Sequence, residues 1–201
     1  CGDGVERGDR LVGKDDLRVL VQSARKRDAL LLAAGELSGH TVGQHLDLHH
    51  LHGLAGRAFQ LLALDLAREA AEHGEVPVGC VIADAEGRVI GRGRNRREEL
   101  CDAAAHAEVE AIREAGAALG SWRLEGCTMY VTLEPCPMCT GAIINSRIPC
   151  LVFGARDAVT GSCGSVIDLF FENYGHHPKV YAGVLGDESA ALLRNFFKGL
   201  R

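Results

Sequence analysis

Two short segments, His106-Ala107-Glu108 and Pro135-Cys136-Pro137-Met138-Cys139, constrain this chain more than any other feature of its sequence. Each stands where a helix is expected to begin, and thirty positions separate His106 from Cys136. Cys136 and Cys139 are three residues apart, so a single helical turn places both sulfurs on one side. A helix N-terminus lowers thiol pKa values and favours the thiolates that a metal needs. An imidazole nitrogen and two thiolates are ligands of the kind Zn2+ prefers. Three protein ligands also leave a fourth position for water, as catalytic zinc sites do. Two thiolates cancel the formal charge of the ion, so a further carboxylate is needed to take the proton of that water. Glu108, two residues from the histidine, is placed for the task and has no need to be a ligand. The fold must therefore bring two helix starts together, around one zinc ion per chain.

Taken singly, these motifs say less. A lone H-x-E carries almost no information, and C-x-x-C also reads as a redox pair or as half of a structural zinc site. The redox reading leaves His106 and Glu108 without a role. A structural site requires a fourth Cys or His, and Cys127, Cys150 and Cys163 each stand alone. In combination the motifs match the H-x-E and P-C-x-x-C signature of zinc deaminases that act on nucleobases.

The surrounding pattern supplies the elements these motifs sit on. Phe59, Leu62, Ala63, Leu66, Ala67 and Ala70 follow the spacing of one helix face, with Gly74 as the stop. Residues 76–83 form a short apolar run, Glu86-Gly87 a turn and 88–92 a second strand, which together predict a hairpin. A helix is expected over 103–119 with Gly120 beyond its end. A strand is expected over 128–133, then a helix from Pro135, a residue type favoured at the first helical position. Further strands are expected over 151–154 and 180–184. Asp187 is expected to cap a last helix with Leu192, Leu193, Phe196 and Phe197 on its apolar face. Strands alternating with helices predict an α/β layered domain, and the near-continuous apolar strands predict a sheet covered on both faces.

The first 56 residues read differently. They hold His40, His45, His49, His50 and His52 but little periodic patterning, and no acidic or cysteine partners complete a metal site there. Arg25-Lys26-Arg27 followed by the apolar stretch 29–34 mimics a signal peptide, but that stretch is too short and too far inside the chain. Residues 1–56 are expected to be a poorly ordered N-terminal extension, with a translated upstream region as the alternative reading. A first residue of Cys instead of Met fits a start that is missing or misassigned. Residues 57–201 are expected to form the functional domain. No apolar run approaches the ~20 residues of a membrane span. The eight cysteines are scattered apart from Cys136 and Cys139, which fits buried thiols in a reducing compartment and a cytoplasmic protein.

From residue 59 to residue 198 the chain resembles the bacterial tRNA-specific adenosine deaminase family, within the cytidine-deaminase-like superfamily. The resemblance rests on Glu75-Val76-Pro77-Val78-Gly79, Asn95-Arg96, Ala105-His106-Ala107-Glu108, Tyr130-Val131-Thr132-Leu133-Glu134-Pro135-Cys136 and Asn145-Ser146-Arg147-Ile148. It extends through Val152-Phe153-Gly154-Ala155-Arg156-Asp157, Thr160-Gly161 and Ala190-Ala191-Leu192-Leu193. The N-terminal extension has no counterpart in it. The resemblance implies a three-layer α/β/α cytidine-deaminase-like fold with a mixed five-stranded sheet, a homodimer, and conversion of adenosine to inosine at the wobble position of a tRNA anticodon. It implies that Glu108 moves one proton of the attacking water to N1 of adenine and then shuttles a second proton to the departing amine. It further implies that Asn95 contacts the target nucleoside, that Val78, Ala107 and Leu133 line the base pocket, and that Asp157 lies near the flanking nucleotides. For Val78 and Leu133 a plain core role remains open, as does a turn role for Asn95.

The net charge is −5, so no global basic field draws the chain to nucleic acid. Arg88, Arg92, Arg94, Arg96 and Arg97 nevertheless crowd around Asn95, and such a cluster can neutralise the phosphates of an anticodon stem-loop. A solvated hairpin balanced by Glu98 and Glu99 is the competing reading. The alternative functions are deamination of a free base or nucleotide (guanine, cytosine or deoxycytidylate) and, more distantly, a non-catalytic zinc-stabilised interaction module. Ile143, Ile144 and Ile148 read equally as dimer interface or core.

Overall fold

The computed structural model describes residues 48–200, with side chains from residue 56 onward. His40, His45, the 25–34 stretch and the rest of the expected extension up to residue 47 lie outside the described residues, and His49, His50 and His52 are described in backbone only. Helix α1 spans Leu48–Glu72. It begins about two and a half turns before residue 57, because Leu48, Leu51, Leu54 and Ala55 continue the apolar spacing and neither Gly53 nor Gly56 interrupts it. Its buried face is Phe59, Gln60, Ala63, Leu64, Ala67 and Ala70. That face is rotated slightly from the expected one, and Leu62 and Leu66 are only half-buried.

After α1 come β1 (Gly79–Ala83), β2 (Val89–Arg94), the short α2 (Arg97–Leu100), α3 (Ala107–Leu119) and β3 (Thr128–Leu133). They are followed by α4 (Pro137–Asn145), β4 (Cys150–Ala155), a 3-10 turn at Leu169–Phe171, β5 (Lys179–Ala182) and α5 (Gly186–Gly199). The five strands form one sheet in the order β2-β1-β3-β4-β5. β1 runs antiparallel to β2 and β3, whereas β3, β4 and β5 are parallel, so the sheet is mixed as expected. Cys80, Ile82, Met129, Val131, Leu151 and Phe153 bury one face against Ala107, Ala111 and Ala115 of α3 and Ile143 and Ile144 of α4. Val81, Tyr130 and Val152 alternate onto the opposite face, where the Phe59 and Tyr130 rings lie 5.0 Å apart. Helices α1 and α5 cover that side, which gives three layers.

Several local expectations are corrected. β1 starts at Gly79 and not at residue 76, because Pro77 has no N–H to donate and the Val78 N–H turns back onto the Val76 carbonyl at 2.8 Å. Helix α4 starts at Pro137 with Cys136 as its N-cap; the Pro135 carbonyl is taken by Ser162 instead. Leu185, at φ 52°, and not Asp187, precedes α5, whose acidic Asp187 and Glu188 lie in the first turn. Only Ser189 of α5 is fully buried, and Phe197 is half exposed. β5 is exposed along its whole length, so the sheet is not covered at that edge. Ile143, Ile144 and Ile148 are core residues, not interface.

Candidate zinc centre and active site

Strands β3 and β4 are parallel and end together, Leu133 opposite Ala155, so the segments that follow both leave from the same edge of the sheet. Binding sites in α/β sheets gather at such carboxyl ends. The first of these segments carries Cys136 and Cys139 into the opening turn of α4, with the Cys136 backbone extended at φ −75°, ψ 172°. His106 caps α3 in the same way, at φ −79°, ψ 152°. Helix α3 reaches this position because β2 lies directly beneath it. A Cβ on Gly93 would collide with the Ala107 carbonyl, and one on Gly91 with that of Ala111. The glycines of Val89-Ile90-Gly91-Arg92-Gly93 thus let a helix backbone rest on a strand backbone.

Here the two motifs meet. Nδ1 of His106 lies 3.7 Å from Cys136 Sγ and 3.5 Å from Cys139 Sγ. The three ligand atoms lie within 4.8 Å of one another and form the one such metal-binding group among the described residues. Ligand bonds of about 2.0 Å from nitrogen and 2.3 Å from sulfur, arranged tetrahedrally, place neighbouring ligand atoms about 3.5–3.8 Å apart. The observed spacing therefore fits zinc, with the imidazole presenting Nδ1. The Cys136 thiol is pushed down to about 4, first by its hydrogen bond with Cys139 and further by His106, while Cys139 is raised by sharing that hydrogen bond. Cys127, Cys150 and Cys163 do not join the group; Cys163 Sγ instead meets Thr140 Oγ1 at 3.4 Å. Three protein ligands and no fourth is the catalytic pattern.

Glu108 is 3% exposed and stands outside the ligand group. Its Oε2 is buried and has no hydrogen-bond partner among the described residues. Burial raises its pKa above the usual carboxylate range, against the opposing pull of its own backbone N–H and of His106. A buried carboxylate oxygen with no donor of its own costs stability unless something it binds supplies one.

The cytidine and deoxycytidylate deaminase zinc-binding region matches this chain over residues 56–155. The tRNA-specific adenosine deaminase of Bacillus subtilis is 47% identical over 140 residues, covering 69% of this chain and 86% of that protein. The chain belongs to the tRNA-specific adenosine deaminase family. A structure solved in studies of A-to-I editing by tRNA:A34 deaminases at the wobble position of transfer RNA superposes with a TM-score of 0.65 at 48% identity. It covers 67% of this chain and 98% of that one. The chain also matches the tRNA(Ile)-lysidine synthase of Deinococcus radiodurans, 47% identical over 151 residues, which are 75% of this chain. It spans only about a quarter of that relative's length, 25%.

Within this member of the deaminase family the other predicted site residues fare differently. Asn95 is 5% exposed; its N–H donates to the Val78 carbonyl at 3.0 Å, which puts these two side by side. Ala107 is buried in the first turn of α3, and Val78 and Leu133 are half-buried. Asp157 is committed to its own loop: its carboxylate accepts from Val159 N at 2.8 Å, Thr160 N at 3.2 Å and Thr160 Oγ1 at 2.6 Å. Partial burial pushes its pKa up, but these donors outweigh it and lower the value.

Four of the five arginines of the cluster are engaged in ion pairs, Arg94 partly buried and the others nearer the surface. Arg88 pairs with Asp84 and Glu86, Arg92 with Glu114, Arg94 with Glu69 and Glu99, and Arg96 with Glu99 and Glu110. Exposed Arg97 alone of the five forms no ion pair among the described residues. It follows Arg96, whose N–H donates to the Ala105 carbonyl at 3.0 Å, next to His106.

Two buried carboxylates escaped the sequence reasoning. Glu134, 2% exposed, accepts from Asp157 N at 3.1 Å, from Cys163 N and Ser165 N at 3.0 Å each, and from the Ser165 hydroxyl. It fastens the loop after β4 to the turn that carries the zinc cysteines. Glu75, 1% exposed, receives Asn95 Nδ2 at 3.2 Å and the Glu99 N–H at 2.9 Å. Both stand in apolar, proline-containing stretches, where a lone acid was the available signal of a buried role.

Proposed function

We propose that this chain catalyses zinc-dependent hydrolytic deamination of adenosine to inosine at the wobble position of a tRNA anticodon, with 57–201 as the catalytic domain. The observation that carries the reading is the unpartnered buried Oε2 of Glu108 beside the His106–Cys136–Cys139 group. Its support in substrate is the 47% identity to an enzyme described as tRNA-specific, across most of that enzyme's length.

His106, Cys136 and Cys139 would hold the ion, and zinc when bound brings deprotonation of water into the neutral range. Glu108 takes the proton from the attacking water and delivers it to N1 of adenine, which makes C6 electrophilic. A C6–O bond forms as water oxygen adds. Glu108 then carries the remaining proton of the added hydroxyl to the exocyclic nitrogen, the C6–N bond breaks as the C6=O bond forms, and ammonia leaves. One carboxylate serves as base and then as acid, which suits a group shielded from bulk water. Asn95, Val78, Ala107 and Leu133 form the nucleoside pocket. An anticodon loop offers unstacked bases, so a target can enter at little cost.

The partner is an anticodon stem-loop, with Arg97, the arginine of the cluster without an ion pair among the described residues, contacting its phosphates. The chain is a homodimer in the cytoplasm. The dimer draws support from exposed apolar side chains concentrated between Val159 and Tyr181, including Phe171 at 90% and Val159 at 81% exposure. No helix among the described residues is long and apolar enough to cross a membrane.

Sequencing of tRNA after incubation with the purified protein tests the reading. Adenosine must change to inosine at the wobble position. Ammonia release from free guanine, cytosine or deoxycytidylate with no change in tRNA would replace it with the free-base alternative.

A further inference from the structure

Glu75 lies just past the end of α1, where Gly74 takes φ 77° and the Glu75 N–H returns to the Ala70 carbonyl at 3.0 Å. The turn drives the side chain inward until it is 1% exposed, and no Lys, Arg or His pairs with it among the described residues. A buried carboxylate without a cation is costly unless hydrogen bonds hold it. Here each oxygen has one donor: Oε2 receives Asn95 Nδ2 at 3.2 Å and Oε1 receives the Glu99 backbone N–H at 2.9 Å. Both donors come from the segment that leaves β2 and runs, through the Arg96–Ala105 hydrogen bond, to the histidine ligand.

The consequence concerns the amide of Asn95. An amide has an accepting end and a donating end of nearly equal shape, and an unconstrained one presents either. A carboxylate only accepts. Asn95 must therefore turn its nitrogen toward Glu75, and its Oδ1, which has no donor among the described residues, is directed elsewhere. The Asn95 backbone is pinned at the same time through its N–H to the Val78 carbonyl at 3.0 Å, so the amide is left one orientation.

We infer that Glu75 is a positioning residue that locks the Asn95 amide with its carbonyl oxygen available to a hydrogen-bond donor on the nucleoside. Adenine carries a single donor group, the amine that departs, so the partner of that oxygen is either this amine or a ribose hydroxyl. The inference rests on the proposed contact between Asn95 and the nucleoside.

Glu75→Gln tests it with little change of shape. The glutamine must keep its oxygen toward the Glu99 N–H, so its NH2 faces Asn95, whose amide has to turn over. We expect kcat/KM on an anticodon stem-loop to fall about 10- to 100-fold, the range that misplacing a substrate-orienting group produces. Zinc content and Tm should stay close to those of the parent. Adding Asn95→Asp to Glu75→Gln restores the hydrogen bond with donor and acceptor exchanged and again offers an oxygen to the substrate, so most of the lost activity should return. A purely structural role for Glu75 predicts no such rescue. The proposal is overturned if Glu75→Gln keeps full activity, or if the double variant folds, binds zinc and stays as slow as the single one. Should Glu75→Gln alone fail to fold, the double variant decides. Asn95→Ala separates the two levels: unchanged kinetics there would refute the Asn95 contact itself, whereas a slow Asn95→Ala beside a normal Glu75→Gln would refute only the role of Glu75.

Discussion

Nδ1 of His106 and Sγ of Cys136 lie 3.7 Å apart although thirty residues, including a helix and a strand, separate them. Both residues cap helices, and in both the backbone is extended at the cap, which turns the side chain away from its own helix and toward the other. The zinc ligands thus meet at two helix N-termini, where the helix dipoles favour anionic sulfur and the nearby carboxylate of Glu108.

Replacing Glu108 with Gln keeps the shape of the side chain and removes its ability to carry a proton. Zinc, measured by elemental analysis, should remain near one per chain, while inosine formation falls about 10²- to 10⁴-fold, the usual contribution of a general acid–base. Loss of zinc along with activity would make Glu108 a ligand or a structural residue.

Removal of the ion with a chelator should abolish deamination, and added Zn2+ should restore it. Cys139→Ser should lower zinc occupancy and Tm together, because a hydroxyl is a poor substitute for a thiolate in this ligand set. A Cys139→Ser variant with full zinc content and parental activity would remove that sulfur from the site.

Gly93→Ala adds one methyl group where the Ala107 carbonyl already stands. The clash is with backbone, so α3 must lift from β2 and take His106 and Glu108 with it. We expect a stability loss of about 1–3 kcal/mol in urea unfolding, typical of overpacking, with a fall in activity that exceeds the fraction unfolded. Gly87→Ala, in an open turn at φ 76°, is the control and should affect stability alone.

Arg97→Glu should weaken binding of an anticodon stem-loop and flatten its dependence on salt by about 0.7 in log–log slope per lost phosphate contact. Anisotropy titrations at several KCl concentrations read this directly. An unchanged slope would remove Arg97 from the phosphate path. Arg94 is a different matter: its side chain is 12% exposed and bridges Glu69 and Glu99, so Arg94→Glu should chiefly destabilise the fold.

Asp157 holds a pKa below its usual range through the donors of its loop. A carboxyl depressed in the folded state contributes stability above its unfolded pKa of about 3.9 and loses it as pH falls through the folded value. The loop should therefore resist proteolysis at neutral pH and open on strong acidification. In Asp157→Asn the difference between neutral and acid cleavage rates should shrink.

The ligand triad, the helices and strands around it and the glycine stops at Gly74 and Gly120 were legible from residue type and spacing, because metal chemistry and helix ends demand particular side chains at particular intervals. Element boundaries shifted where a proline or a long-range hydrogen bond intervened, as at Pro77 and Pro135. The arginine cluster shows the limit most clearly. Five cations near Asn95 looked available for phosphate, but Glu69, Glu99, Glu110 and Glu114 arrive from α1, α2 and α3 and claim Arg92, Arg94 and Arg96. Asp157 was likewise claimed by the N–H groups of its own turn.

The linear order of residues thus determined the metal-binding chemistry and the class of fold, since both follow from local spacing. Only the tertiary structure decided which charged groups remain free to meet a substrate, and that Glu75 and Glu134 are buried anchors, because ion pairs and hydrogen bonds depend on distances between segments far apart in the chain.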